Sequence, residues 1–242
     1  MTVLLPNTNF KKADDSVKHR LIASISAVEK QGKTHFALTA PGPIALFDFD
    51  NGLEGVLHKF SKKKEIMVSE YKIGNAQTQE TYIPVWDRFK REFLATMRPG
   101  NGVRTVIVDT ATEAWELIRL ARFGKLDQVL PRYYGPLNAE FKELIRIAYT
   151  SDKNLLLLHK MKAEYINDKS TGKMTRAGWG DTGYFVQVNL ELWRDPDDGF
   201  TALVRDCRQN SELLDLQLVG DMNSFPSLAM LVFPDSKEGE WL

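Results

Sequence analysis

The most chemically pointed stretch of the chain is Ala27-Val28-Glu29-Lys30-Gln31-Gly32-Lys33-Thr34. A small residue, four intervening positions and then Gly-Lys-Thr is the spacing that turns successive backbone N–H groups onto one anion. Gly32 lets the backbone approach a phosphate because no Cβ stands in the way. Lys33 can reach the outer oxygens of a polyphosphate, and the Thr34 hydroxyl is a hard donor suited to Mg²⁺. Ala27, Glu29, Lys30, Gln31 and His35 complete the set expected around the phosphates. The first position carries Ala where the stricter pattern has Gly. A Gly-Lys-Thr triplet alone also occurs in solvated turns, so its context must carry the assignment.

That context is a strand before the loop and a helix after it. Leu21 to Ile25 is apolar, and Thr34 to Leu38 has a helical pattern, the order that aims a helix N-terminus at the anion. A second strand, Ile44 to Phe49, ends in Asp48-Phe49-Asp50-Asn51-Gly52, and carboxylates at such a strand end lie where open α/β sheets bind ligands. Both aspartates also fit plain turn formers. A third, Val103 to Asp109, is a β-branched run ending in a carboxylate that would help to hold Mg²⁺ beside the loop. A fourth, Asn154 to Lys160, places His159 and Lys160 at its polar end, with a satisfied structural histidine as the simpler reading.

Helical spacing marks Tyr82–Met97, Glu113–Phe123 and Pro136–Thr150, with a shorter helix over Glu54–Phe60 and a further strand over Ile66–Tyr71. Phe185–Trp193 and Phe200–Cys207 form a hairpin about Asp195-Pro196-Asp197-Asp198-Gly199. Alternating strands and helices of this kind give an α/β fold with a mainly parallel sheet flanked by helices, followed by a C-terminal β-hairpin. Residues 1–18 read as a lead-in and 19–242 as a single domain, with 164–183 as a mobile Gly-rich loop. Lys169, Lys173, Arg176 and Trp179 lie in that loop. The closing Glu238-Gly239-Glu240-Trp241-Leu242 reads as a frayed end or a partner-docking tail.

Lys+Arg and Asp+Glu both number 32, so any nucleic-acid surface must be a local patch. One cysteine, Cys207, leaves no internal disulfide and fits a reducing cytoplasm. No apolar run nears the ~20 residues of a membrane span, and the N-terminus lacks a signal-peptide layout.

Together these motifs resemble the RecA-like P-loop ATPases, in which the catalytic carboxylate follows the strand after the phosphate-loop helix. Asp50 matches that position, one methylene shorter than the family's Glu. The residue after Asp109 is Thr110, whereas AAA+ and helicase-type motors usually carry Glu there. Size, motif order and the hairpin after a Gly-rich segment are similar to the small phage-encoded members, including Sak-type single-strand annealing proteins. The resemblance covers about residues 19–210. It implies ATP and Mg²⁺ as cofactors, Asp50 and Lys33 as catalytic groups, and His159 as a γ-phosphate sensor with Lys160 as the second candidate. It further implies single-stranded DNA on the 164–183 segment, a single-stranded DNA-binding protein as partner, and a homo-oligomeric ring or filament. Arg205 and Arg208 would then act on a neighbour's nucleotide. Two other readings stay open: a nucleotide-dependent clamp with little hydrolysis, and a small-molecule P-loop kinase. The kinase reading lacks an Arg-rich lid, since 164–183 holds only Arg176.

Overall fold

The computed structural model of the chain describes residues 16–74, 78–126, 129–197 and 199–242. The lead-in therefore lies almost wholly outside the described residues. The strands are β1 (Ile22–Ser26), β2 (Ile44–Asp48), β3 (Ile66–Glu70), β4 (Thr105–Asp109), β5 (Asn154–His159), β6 (Met161–Ile166), β7 (Lys169–Arg176), β8 (Val188–Asp195), β9 (Gly199–Cys207) and β10 (Gln217–Leu218). The helices are α1 (Lys33–Leu38), α2 (Gln79–Met97), α3 (Ala111–Phe123), α4 (Gly135–Thr150), α5 (Thr182–Phe185) and α6 (Phe225–Val232). The expected helix over Glu54–Phe60 shrinks to a 3-10 turn at Leu57–Lys59.

Eight strands form one sheet in the order β10-β9-β8-β1-β5-β4-β2-β3, parallel from β8 to β3 and antiparallel at β9 and β10. The fold is that of a P-loop NTPase with antiparallel strands added at its C-terminal side. β1, β2, β4 and β5 are buried along their whole length, because helices cover both faces of the parallel region. Alternate residues feed two cores. Leu155 and Leu157 join Trp86, Phe89, Phe93, Leu117, Phe141 and Ile145 beneath α2, α3 and α4. Leu156 and Leu158 point the other way, onto Phe36, Leu38, Phe225 and Trp241.

Two expectations change here. The 164–183 segment is an ordered antiparallel hairpin, β6–β7, followed by a short turn and α5. Its alternation was masked by Gly172 and by lysines, residues that favour strands poorly yet tolerate a solvated hairpin. The C-terminal residues are neither frayed nor a free docking tail. Trp241 is 1% exposed, its ring stacks on Phe233 at 5.6 Å, and its indole N–H donates to Ser236 Oγ at 2.7 Å. An indole of this size repays ordering of the terminus by the apolar area it buries. Among the described residues no helix is long and apolar enough to cross a membrane.

Candidate nucleotide site

The carboxyl ends of β1, β4 and β2 open onto one cleft of about 820 Å³. Its floor is the loop between β1 and α1. Ala27 is buried and its N–H donates to the His159 carbonyl at 3.2 Å, tying the loop's start to β5. Gly32 stands at φ +85° as the first cap of α1, a conformation in which any side chain would strain the backbone. Glu29, Lys30, Gln31 and His35 line the cleft as well. His35 meets the edge of Phe60 at 5.0 Å, and burial followed by the nearby Lys59 lowers its pKa.

Lys33 is folded back on the loop, its Nζ donating to the carbonyls of Ala27 and Val28 at 3.1 Å each. Burial lowers its pKa, against the opposing pull of Asp109 and Asp50. The Thr34 hydroxyl donates to Asp109 Oδ2 at 2.6 Å. Strand register makes this meeting possible, because Asp109 ends β4 level with Asp48 on β2 and Leu158 on β5. Asp109 is almost fully buried, and burial pushes its carboxyl up to about 7. The Thr34 hydrogen bond and Lys33 act against that rise, while Asp50 and Asp48 reinforce it.

The structure separates the two aspartates after β2. Asp48 is buried and its Oδ1 accepts the N–H groups of Asp50 at 3.2 Å and Asn51 at 3.0 Å, so it shapes the turn. Burial raises its pKa. Asp50 is exposed on the cleft wall beside Lys33 and Asp109.

His159 does not face the cleft. It is fully buried, with Nδ1 3.1 Å from the Ala177 carbonyl and Nε2 without a partner. Burial, and after it the nearby Arg176, lower its pKa to about 3. The side chains of a strand alternate between its faces, so Lys160, the next residue, takes the cleft position. Its Nζ donates to Glu113 Oε1 at 2.6 Å.

The DNA set divides as well. Lys169 and Lys173 are exposed on the hairpin. Trp179 is only 4% exposed, stacked on Phe185 at 5.4 Å and packed near Phe141 and Trp115, so no base can reach its face. Arg176 is spent internally on Ser24 Oγ, Asn189 Oδ1 and the Gly180 carbonyl. Arg205 pairs with Glu191 at 2.7 Å and Arg208 donates to the Tyr184 carbonyl. Neither lines the nucleotide cleft; both border a separate depression with Arg176. Phe200, from the tip of the β8–β9 hairpin, is a cleft residue that sequence reasoning missed. Only its position across the sheet from Gly32 reveals it.

Thr34 and Asp109 offer Mg²⁺ hard oxygen donors at hydrogen-bond separation, the donor type this ion takes together with phosphate oxygens and water. Among the described residues no group of three or more His, Cys, Asp or Glu gathers as a metal site. Thr110 also has a clear task. Its hydroxyl caps α3 by accepting from the Glu113 N–H at 3.2 Å, while Glu113 holds Lys160.

No curated protein matches the chain. A family model described as an AAA domain matches residues 20–179, a span that takes in the loop, Asp50, Asp109, Lys160 and the β6–β7 hairpin and stops short of β8 and β9. That span is well over half of the sequence, and the chain belongs to the AAA domain family of P-loop proteins.

Proposed function

We propose that the chain is a Mg²⁺-dependent ATPase acting on single-stranded DNA, annealing or handling strands as in phage-type recombination. The observation that carries the catalytic part is the convergence of Lys33, Thr34, Asp50, Asp109 and Lys160 on one cleft. The absence of an Asn-Lys-x-Asp guanine-reading run favours ATP over GTP.

Lys33 exchanges the Ala27 and Val28 carbonyls for β- and γ-phosphate oxygens, a move favoured because its half-buried charge has only those carbonyls as hydrogen-bond partners among the described residues. Thr34 and Asp109 are the residues that would hold Mg²⁺, which would supply positive charge to neutralise the β- and γ-phosphates. Asp50, at the open wall, orients the attacking water and accepts its proton. Its short side chain predicts slow turnover, since a misplaced base loses much of its effect. Lys160 approaches the terminal phosphate from the β5 side, leaving Glu113 as it does.

The DNA part rests on the β6–β7 hairpin. It is rooted at Lys160, whose carbonyl accepts from the Ala177 N–H at 2.8 Å. It presents Lys169 and Lys173 for phosphates, and Tyr165, 65% exposed, for a base. Nucleotide state at Lys160 is thereby one residue from the strand-binding element. Further copies of the chain and a single-stranded DNA-binding protein are the partners this reading implies.

The test pairs steady-state ATPase assays with fluorescence anisotropy of labelled single-stranded DNA over a salt series, with and without ATP and Mg²⁺. Lys33→Ala should abolish ATP binding, and Asp50→Asn should bind ATP with turnover reduced by about 10²-fold or more. DNA binding should weaken steeply with salt and respond to nucleotide only when Lys33 is present. ATP binding with no turnover that depends on Asp50 would support the clamp reading instead. ATP binding with no salt-sensitive DNA binding in any state would refute the DNA part.

A further inference from the structure

The cleft has two unlike flanks. Asp50, Asp109 and Lys160 all arise from β2, β4 and β5, on one side of β1. On its other side β1 pairs with β8, level from Ala23–Val188 to Ser26–Glu191. β8 continues past the end of β1 to Asp195 and returns as β9 from Gly199, so the hairpin tip stands beside the phosphate loop. Phe200 sits at this tip, and its ring lies against Gly32. A Cβ built on Gly32 would stand 3.1 Å from Phe200 Cδ1.

Phe200 is not ordinary core. The next four residues of β9 are buried, yet Phe200 is 46% exposed and borders the cleft. The Asn223 side-chain N–H donates to the Phe200 carbonyl at 2.7 Å, which fixes its backbone. The Arg194 guanidinium lies 5.7 Å from its ring centroid. A large apolar ring held half in water at the edge of a polar cleft offers a face for a flat ligand.

We propose that Phe200 is the platform for the nucleobase of the nucleoside triphosphate. This rests on the nucleotide reading above and adds a residue beyond the matched family span. The hydrolytic groups draw the γ-phosphate towards β5, so the α-phosphate, ribose and base fall on the β8 side, where the Phe200 ring waits. Stacking is tolerant of base identity. Phe200 therefore sets affinity for nucleotides over bare polyphosphate, and it discriminates weakly between adenine and guanine.

The experiment measures binding of ATP, GTP and inorganic tripolyphosphate, each with Mg²⁺, by calorimetry. The proteins are the unmutated chain, Phe200→Ala, Phe200→Tyr and Lys33→Ala. Phe200→Ala should weaken ATP and GTP about 10-fold, or about 1.4 kcal/mol, and leave tripolyphosphate unchanged. Phe200→Tyr should restore both nucleotides. Equal loss for ATP and tripolyphosphate would show the ring merely buttressing the loop and would overturn the proposal, as would unchanged ATP affinity. Tripolyphosphate binding that ignores Lys33→Ala, or no binding of any of the three, would instead sink the phosphate-loop reading on which this rests. Thermal melting of Phe200→Ala checks its fold, and rescue by Phe200→Tyr excludes a folding artefact.

Discussion

Replacing Asp109 by Asn should make the nucleotide-free protein more stable, and increasingly so as pH rises. The carboxyl is 2% exposed and burial pushes its pKa up to about 7 from 3.8. A raised pKa means the folded state holds a proton that the unfolded chain has released. The stability linked to that proton is full below pH 3.8 and is lost as pH climbs to 7. Each pH unit inside that window is worth about 1.4 kcal/mol. Between pH 5 and pH 8 the loss spans two units, from 5 to the folded pKa of about 7, or about 3 kcal/mol. Asn has nearly the same shape, keeps an oxygen for the Thr34 hydroxyl and never ionises, so its variant escapes this loss. Urea unfolding at pH 5, 6, 7 and 8 reads the difference directly. The gap between variant and parent should widen by about 3 kcal/mol across the series, and Mg²⁺ with ATP should stabilise the parent alone. A gap that stays constant from pH 5 to 8 would refute a buried, titrating Asp109.

Three further outcomes follow from the same geometry. His159→Gln should flatten the acid limb of the stability curve. The parent imidazole is held neutral, with its pKa lowered to about 3 from 6.5, so its stability is present above pH 6.5 and is lost as pH falls towards 3. Comparing denaturation midpoints at pH 7 and pH 5 checks this, and an unchanged acid slope would contradict it. Trp179→Ala should destabilise the fold by about 3–5 kcal/mol, because the ring is buried among Trp115, Phe141 and Phe185. The salt slope of DNA binding should not change in that variant, and a selective loss of DNA affinity in chemical denaturation and anisotropy assays would contradict the packing argument. Lys169→Ala and Lys173→Ala should each lower the logarithmic salt slope of single-stranded DNA binding by about 0.7 without changing the melting temperature. Unaltered slopes would remove the hairpin from the interface.

What could be read from the sequence was whatever depends on neighbours along the chain. The phosphate loop, the buried runs of β1, β4 and β5, and the long helices are written in local spacing. Continuous burial of a parallel strand and the period of a helix both leave their mark on consecutive residues. Asp109 was legible because a strand delivers its last side chain to the sheet's carboxyl edge. What tertiary structure decided was which face each end residue takes and what lies against it. His159 and Lys160 are adjacent in sequence, yet one is sealed inside and the other lines the cleft. Asp48 and Asp50 differ in the same way, one folded into its own turn and the other on the cleft wall. Trp179, Arg176 and Trp241 have the composition of a contact surface, and each is consumed by partners distant in sequence: Trp115 beside Trp179, Ser24 on Arg176, and the core of Phe36 and Leu38 around Trp241. Phe200 had no local signal at all. Its role arises because β8 pairs with β1 and carries the hairpin past the loop. Burial and long-range pairing are properties of the assembled sheet, and no window of the sequence contains them.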